Sequence, residues 1–498
     1  MKLFINSFKF PFLYKNLALR QTKKIKVLTK RRPILLMGLI IFVFGIYSFF
    51  FGEKISVNWG LGWDGVLYAQ IAQNFFKEVF TTGLSEYTLQ RIFPSGVVYL
   101  LLNLAQQPHS APNVIKAFAA YDLILLLVDV YLWGLIAKEL KLSIRGIWFG
   151  FIALFVNFAI LKMNFYYPIL TDTSAFTLGM IMLYAFLKNK SFLMLSTIII
   201  GAFTWPTVTY AGIILYVFPR SKKPIENSPF RHSNTILSAI CATVVILGII
   251  FFHFIKKYNS AGGNLINEPF VLLSIVAVFL YVFFVTRPLF NFDYMGVLKD
   301  VIKLITPRRI IISVIMLVLF KFFRQTYSLP TAENPEVLRV YLLSSIQLPF
   351  IFLVSHVTYY GPIVLLIMLF WKKISKLIMG YGIGLVLLVL LSVIFAFESE
   401  SRGLINLVPL IVVFTVKILD DIHFRPSFYW IFGIFSLFAS KVWLPLNLDL
   451  GLYFMNFGPW MSDSGYIVQG VAALFGGIIL YVILAENKAF LKRRTKLK

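Results

Sequence analysis

Two short stretches of this chain carry residue types suited to chemistry. Trp63-Asp64-Gly65 follows the first long apolar block, and Glu400-Ser401-Arg402 follows a late one. A carboxylate held at the edge of a membrane helix is costly unless it works or is paired, so it marks a functional site by default. Around Asp64 the chain reads Trp63-Asp64-Gly65-Val66-Leu67-Tyr68-Ala69-Gln70-Ile71-Ala72, with Arg91-Ile92-Phe93-Pro94 downstream. A carboxylate can take a proton from a hydroxyl, and a guanidinium fork matches phosphate oxygens. Trp63 and Tyr68 add aromatic faces of the kind that sugars and interfacial lipids stack against. Plainer roles compete with these. Asp64, and Asp172 within Thr171-Asp172-Thr173-Ser174, can each cap the first turn of a helix. Arg402 can pair locally with Glu398 or Glu400, and His356 can be an ordinary interfacial polar side chain.

The elements that must position these residues are membrane helices. The 498 residues are 59% hydrophobic and only 14% charged, where a water-soluble domain carries about 25% charged residues. The apolar residues come in long blocks, not in the alternating segments of a β-barrel, so the expected fold class is an all-α polytopic membrane protein. The net charge of +26 is explained by basic residues collecting on the cytoplasmic side, with no need for a nucleic-acid partner. The lone cysteine, Cys241, can form no intrachain disulfide.

Apolar blocks predict spans near 33–51, 115–136, 147–163, 171–187, 192–204, 207–218, 235–255, 270–286, 310–323, 346–370, 377–397, 404–418, 428–445 and 466–485. The piece 93–105 is short and opens near Pro94, and reads as an outer-face or re-entrant helix. Trp205-Pro206 interrupts the block 192–218, whose two flanks are both basic, so a short hairpin is expected there. With these spans, 35 of the 47 Lys and Arg fall on the cytoplasmic side and 12 on the outer side. The organisation that follows is a basic cytoplasmic arm (1–32), one transmembrane domain (33–487) whose first outer loop is 52–114, and a basic cytoplasmic tail (488–498). No cleavable signal is evident, and both termini are expected inside. The basic arm is expected against the anionic inner leaflet.

This topology gathers polar residues on one face. Within the first outer loop, Ile71, Phe75, Phe76 and Val79 have the spacing of a helix lying in the membrane interface, with Asp64 near its start. Tyr166, Tyr167 and Asp172 come to the same side, as do His356, Tyr359, Tyr360, Glu398, Glu400 and Arg402. A carboxylate, arginines and aromatics converging at a membrane face suit an anionic, lipid-linked substrate. Asp122 and Asp129, seven residues apart on one helix, either line a polar path or are paired inside the bundle. There is no Walker loop and no paired-histidine zinc motif. No metal site is assigned; Glu398 and Glu400 could hold a divalent ion, but two carboxylates are weak support.

The Trp-Asp-Gly-x-x-Tyr-x-x-Ile-Ala order at 63–72 with Phe93-Pro94, the run from Tyr167-Pro168 through Asp172 to Ala175, and Glu400-x-Arg402 ahead of a span containing Pro409 resemble membrane glycosyltransferases of the GT-C type. Within them the first of these motifs resembles the opening of the mannosyltransferase family that adds the second mannose to GPI anchors, and of its bacterial relatives. The resemblance implies a GT-C-like bundle of about 12–14 transmembrane helices with juxtamembrane helices in the first outer loop. It implies inverting transfer of a mannose-like hexose from a polyprenyl-phosphate donor to a lipid-linked, glycan or protein acceptor, without a cofactor. On that basis Asp64 is the general base and Asp172 a second catalytic acid. Trp63, Tyr68, Arg91, Tyr167, His356, Glu400 and Arg402 then bind substrate, with Arg402 and Arg91 on the donor phosphate. The expected location is a bacterial inner membrane. The competing reading is a transporter, flippase or O-antigen polymerase-like protein for lipid-linked glycans. Charges in span centres would favour it, whereas here most acids, with Arg91 and Arg402, lie in outer loops.

Overall fold

The computed structural model describes residues 32–221, 233–261, 264–266, 268–329, 337–422, 424–447 and 461–496. The basic arm up to residue 31 and parts of the loops 324–345 and 446–465 lie outside these residues. What is described is a bundle of apolar helices, the architecture of a polytopic membrane protein. A bilayer core of about 30 Å needs roughly 20 apolar residues of helix. Among the described residues six helices meet that length and composition: Arg32–Phe51, Ala111–Glu139, Asn234–Ile255, Glu268–Leu289, Pro307–Tyr327 and Asp463–Glu486. Counting each of two bent pairs as one span raises the number to eight. A two-residue antiparallel ladder, Ser260–Ala261 with Asn264–Leu265, is a minor addition to the helices.

The structure differs from uniform spans at identifiable breaks. The expected span 147–163 is a helix Ile144–Phe155 followed, after a 58° bend, by Phe158–Tyr166. The expected span 346–370 is two helices, Ile351–Tyr360 and Ile363–Tyr381, bent by 112° at Gly361-Pro362. Gly361 has φ of +79°, a conformation that ends a helix cheaply only at glycine. The next turn comes at Gly382, so Lys372 and Lys376 lie within the second of these helices and not in a loop. The expected hairpin is present as Ser191–Ala202 and Pro206–Val217, which pack on each other with Trp205 at the turn.

The first loop is built, not slack. Helix Asp64–Gln73 ends at Asn74, whose φ of −139° is non-helical, and a new turn begins at Phe75. The single interfacial helix expected through Val79 is thus broken in two. Ile92–Leu104 follows; at 13 residues it is about 20 Å long, too short to cross, and it packs along Asp64–Gln73. The loop is tied to the Pro307–Tyr327 helix by Arg324–Glu86 at 2.9 Å and by Leu329 N–H donating to the Leu84 carbonyl. Glu53, just past the first helix, pairs with Lys162 at 3.1 Å and accepts from the Leu446 amide. Close packing around the site rests on Gly179, where a Cβ would lie 2.2 Å from the Asn406 carbonyl oxygen. A larger residue would push the Asp172–Leu187 helix off the chain that follows Arg402.

Candidate functional site

Asp64 is the first residue of its helix, and Trp63 occupies the cap position. The carboxylate therefore does not cap. Its Oδ2 accepts a hydrogen bond from Arg402 Nη2 at 2.9 Å. The same guanidinium donates through Nε to Glu400. The expected local pair of Arg402 is real, with Glu400, but it is half of a bridge whose other half is Asp64. Burial disfavours the Arg402 charge; Glu400, Asp172 and Asp64 outweigh it and hold the group more firmly protonated than a free arginine.

The turn that presents Asp64 depends on Tyr167. Its hydroxyl accepts from the Gly65 amide at 3.0 Å, and its ring meets Trp63 edge-on, centroids 6.5 Å apart. Gly62 has φ of +66°, and a Cβ there would stand 2.2 Å from the Tyr167 ring. Only glycine lets the turn lie flat on the tyrosine. Tyr167 thus positions the motif from beneath, while Trp63 is 46% exposed at the rim.

Asp172 also begins its helix, after Thr171, and is buried. Neither of its carboxylate oxygens accepts a hydrogen bond from protein. Arg402, Arg91, Glu400 and Asp64 all act on it electrostatically, so the two aspartates and two arginines form one charged centre. Arg91 is buried with its guanidinium between two rings, 4.3 Å from the Tyr87 centroid and 4.2 Å from that of Trp205. Aromatic faces stabilise a cation without consuming its N–H donors. Its Nε makes no hydrogen bond, and the nearby Tyr68 hydroxyl is likewise buried and unbonded. Unspent buried donors beside a charged centre are costly and are suited to an anionic oxygen.

His356 sits behind this centre, not in it. Nε2 donates to the Ala396 carbonyl at 3.0 Å, so Nδ1 accepts from the Ser401 hydroxyl at 2.9 Å. Tyr360 donates to the Ser401 carbonyl at 2.6 Å. Both side chains hold the loop that carries Glu400 and Arg402. Asp129, in the Ala111–Glu139 helix, accepts from Thr177 at 2.9 Å; it is paired within the bundle.

Sequence reasoning omitted Tyr87, Trp205 and Tyr341 from the site, and weighed Glu398 only as a local partner of Arg402 or a weak metal ligand. Glu398 is half-buried, accepts a hydrogen bond from Tyr341, and is pushed up to about 8, first by desolvation and then by Glu400. The hairpin turn at Trp205-Pro206 was the available signal for Trp205, since it puts that ring on the Asp64 face. Among the described residues no group of three or more His, Cys, Asp or Glu is placed to hold a metal ion. Comparison with protein-family models, curated proteins and solved structures finds no match.

Proposed function

We propose that the chain is an integral-membrane glycosyltransferase of the GT-C kind, moving a hexose, mannose-like by resemblance, from a polyprenyl-phosphate donor to an acceptor hydroxyl. The observation that carries this reading is the Asp64–Arg402–Glu400 bridge beside buried Arg91 and unpaired Asp172. A base and phosphate-binding cations are the two components the reaction needs. Asp64, hydrogen-bonded to Arg402, takes the acceptor's proton as that oxygen bonds to the anomeric carbon. The bond from that carbon to the phosphate oxygen breaks, its electron pair leaves with polyprenyl phosphate, and the configuration inverts. Arg402 and Arg91 bind the departing phosphate, and the proton passes from Asp64 to water. In this reading 12–14 helices cross a bacterial inner membrane, both termini face the cytoplasm, and Asp64 faces outward.

The transporter alternative draws on buried Asp122 and Asp129 within a long span. Purified protein in vesicles, given a radiolabelled polyprenyl-phosphate hexose and a lipid extract as acceptor, separates the two. Transfer predicts release of polyprenyl phosphate and new labelled product. Movement of intact donor across the vesicle, with no cleavage of the sugar–phosphate bond, overturns it.

A further inference from the structure

A cavity of about 720 Å³ runs through the bundle behind the site. One end lies against the back of the Glu400–Arg402 loop, where His356, Tyr360, Ala396 and Leu404 form its wall. Tyr281, which lines it there, packs against Phe397 with centroids 6.0 Å apart. The other end is reached along the Glu268–Leu289 helix. Arg287 lies six residues beyond Tyr281, about 9 Å further from the site. Lys372 and Lys376, one turn apart on the Ile363–Tyr381 helix, complete that end. All three cations are exposed, and none is ion-paired among the described residues. Among the described residues, no Asp or Glu lines the cavity.

We infer that this cavity binds one acidic phospholipid from the leaflet opposite the site, its phosphate on Arg287, Lys372 and Lys376 and an acyl chain along the apolar interior. Charge placement selects this occupant. Three cations with no acid favour an anionic headgroup at the far end, and basic pockets between membrane helices bind acidic lipids in this way. The near end offers no such group. Arg402 is not in the wall, and both nitrogens of His356 are spent on Ser401 and Ala396. A donor lipid with its phosphate at Arg402 would have to pass that hydrogen-bonded loop to put its chain here. The volume lies in the range of small-molecule sites. The site is independent of the transfer reaction, although the chain would brace His356 and Tyr360 and so the loop they hold.

Trp371 lines the cavity, with its indole N–H on the Val285 carbonyl at 2.8 Å, and it serves as the reporter. Protein in phosphatidylcholine nanodiscs is titrated with phosphatidylglycerol carrying brominated acyl chains. The Trp371 signal is the difference between the native chain and Trp371→Phe. Brominated phosphatidylglycerol should quench it at a much lower mole fraction than brominated phosphatidylcholine. Arg287→Gln/Lys372→Gln/Lys376→Gln should raise the amount required by at least about tenfold, since each surface cation contributes roughly 1 kcal/mol to acidic-lipid binding. Lys372→Gln alone, at an exposed position, should shift it severalfold and serves if the triple variant does not assemble. Equal quenching by the two headgroups, or quenching indifferent to these substitutions, overturns the site. Displacement of the brominated phosphatidylglycerol by polyprenyl phosphate at lower concentration also overturns it and gives the cavity to the donor's chain.

Discussion

Arg402 donates to Asp64 at 2.9 Å across 338 positions of sequence. The contact joins the loop after the first helix to the loop around residue 400, and it brings a carboxylate and a guanidinium together. Asp64 remains 37% exposed while Arg402 is 15% exposed, so the carboxylate faces outward and the arginine braces it from within.

Asp64→Asn keeps the size of the side chain and removes the base. Donor turnover should fall by about 100-fold or more, the usual scale for a lost general base. The protein should still insert and elute as the native chain does, because a partly exposed pair contributes only about 0–1 kcal/mol. Near-native turnover in this variant would remove Asp64 from the chemistry.

Arg402→Lys keeps the charge but cannot bridge Asp64 and Glu400 with a planar fork. Use of the lipid donor should weaken, and Arg402→Ala should weaken it further. Stability should drop by about 1–3 kcal/mol in the alanine variant, since Glu400 is left with an uncompensated, mostly buried charge. The comparison is donor-concentration dependence in Arg402→Ala and in Glu398→Gln/Glu400→Gln. Unchanged dependence in a folded Arg402→Ala sample would move the phosphate to Arg91.

Trp205→Leu removes one face of the sandwich around Arg91. The expected loss is about 0.5–2 kcal/mol of stability, with weaker inhibition by free polyprenyl phosphate. Arg91→Gln should lose that inhibition more fully. If polyprenyl phosphate inhibits both variants as it does the native chain, Arg91 has only a structural role.

Glu398 supplies a pH dependence with a definite sign. Its carboxyl is raised from an ordinary 4.5 to about 8 by burial and Glu400. A raised group stabilises fully below its unfolded value and loses that contribution as pH rises through the folded one. Thermal stability should therefore decline between about pH 4.5 and 8 and level off above. Melting curves of Glu398→Gln across this window should lose most of that slope; an identical slope would assign it elsewhere.

Trp59→Cys and Lys373→Cys test orientation. Trp59 is 95% exposed on the Asp64 face, and Lys373 belongs to the basic stretch expected inside. An impermeant thiol reagent applied to intact cells should label position 59 and leave 373 unlabelled until the membrane is opened. The reverse pattern would invert the topology.

The long apolar elements were legible in sequence. The block 33–51 became Arg32–Phe51, 235–255 became Asn234–Ile255 and 466–485 became Asp463–Glu486. Their cause is local: a bilayer of fixed thickness demands a run of apolar residues, and such a run is visible in any window of about 20. The hairpin around Trp205-Pro206 was legible for the same reason, because basic flanks and a helix-breaking proline act where they stand. Tertiary structure alone decided what the polar residues do. Asn74 and Gly361-Pro362 break helices that hydropathy draws as continuous, and backbone angles leave no mark on an apolar average. His356, Tyr167 and Arg402 looked alike in sequence as polar residues on one face. Packing set His356 behind the loop, Tyr167 beneath the turn, and Arg402 against a carboxylate 338 residues away. Burial, and with it the unpaired state of Asp172 and the aromatic cage of Arg91, depends on which helices meet, and that depends on side-chain contacts between segments far apart in the chain.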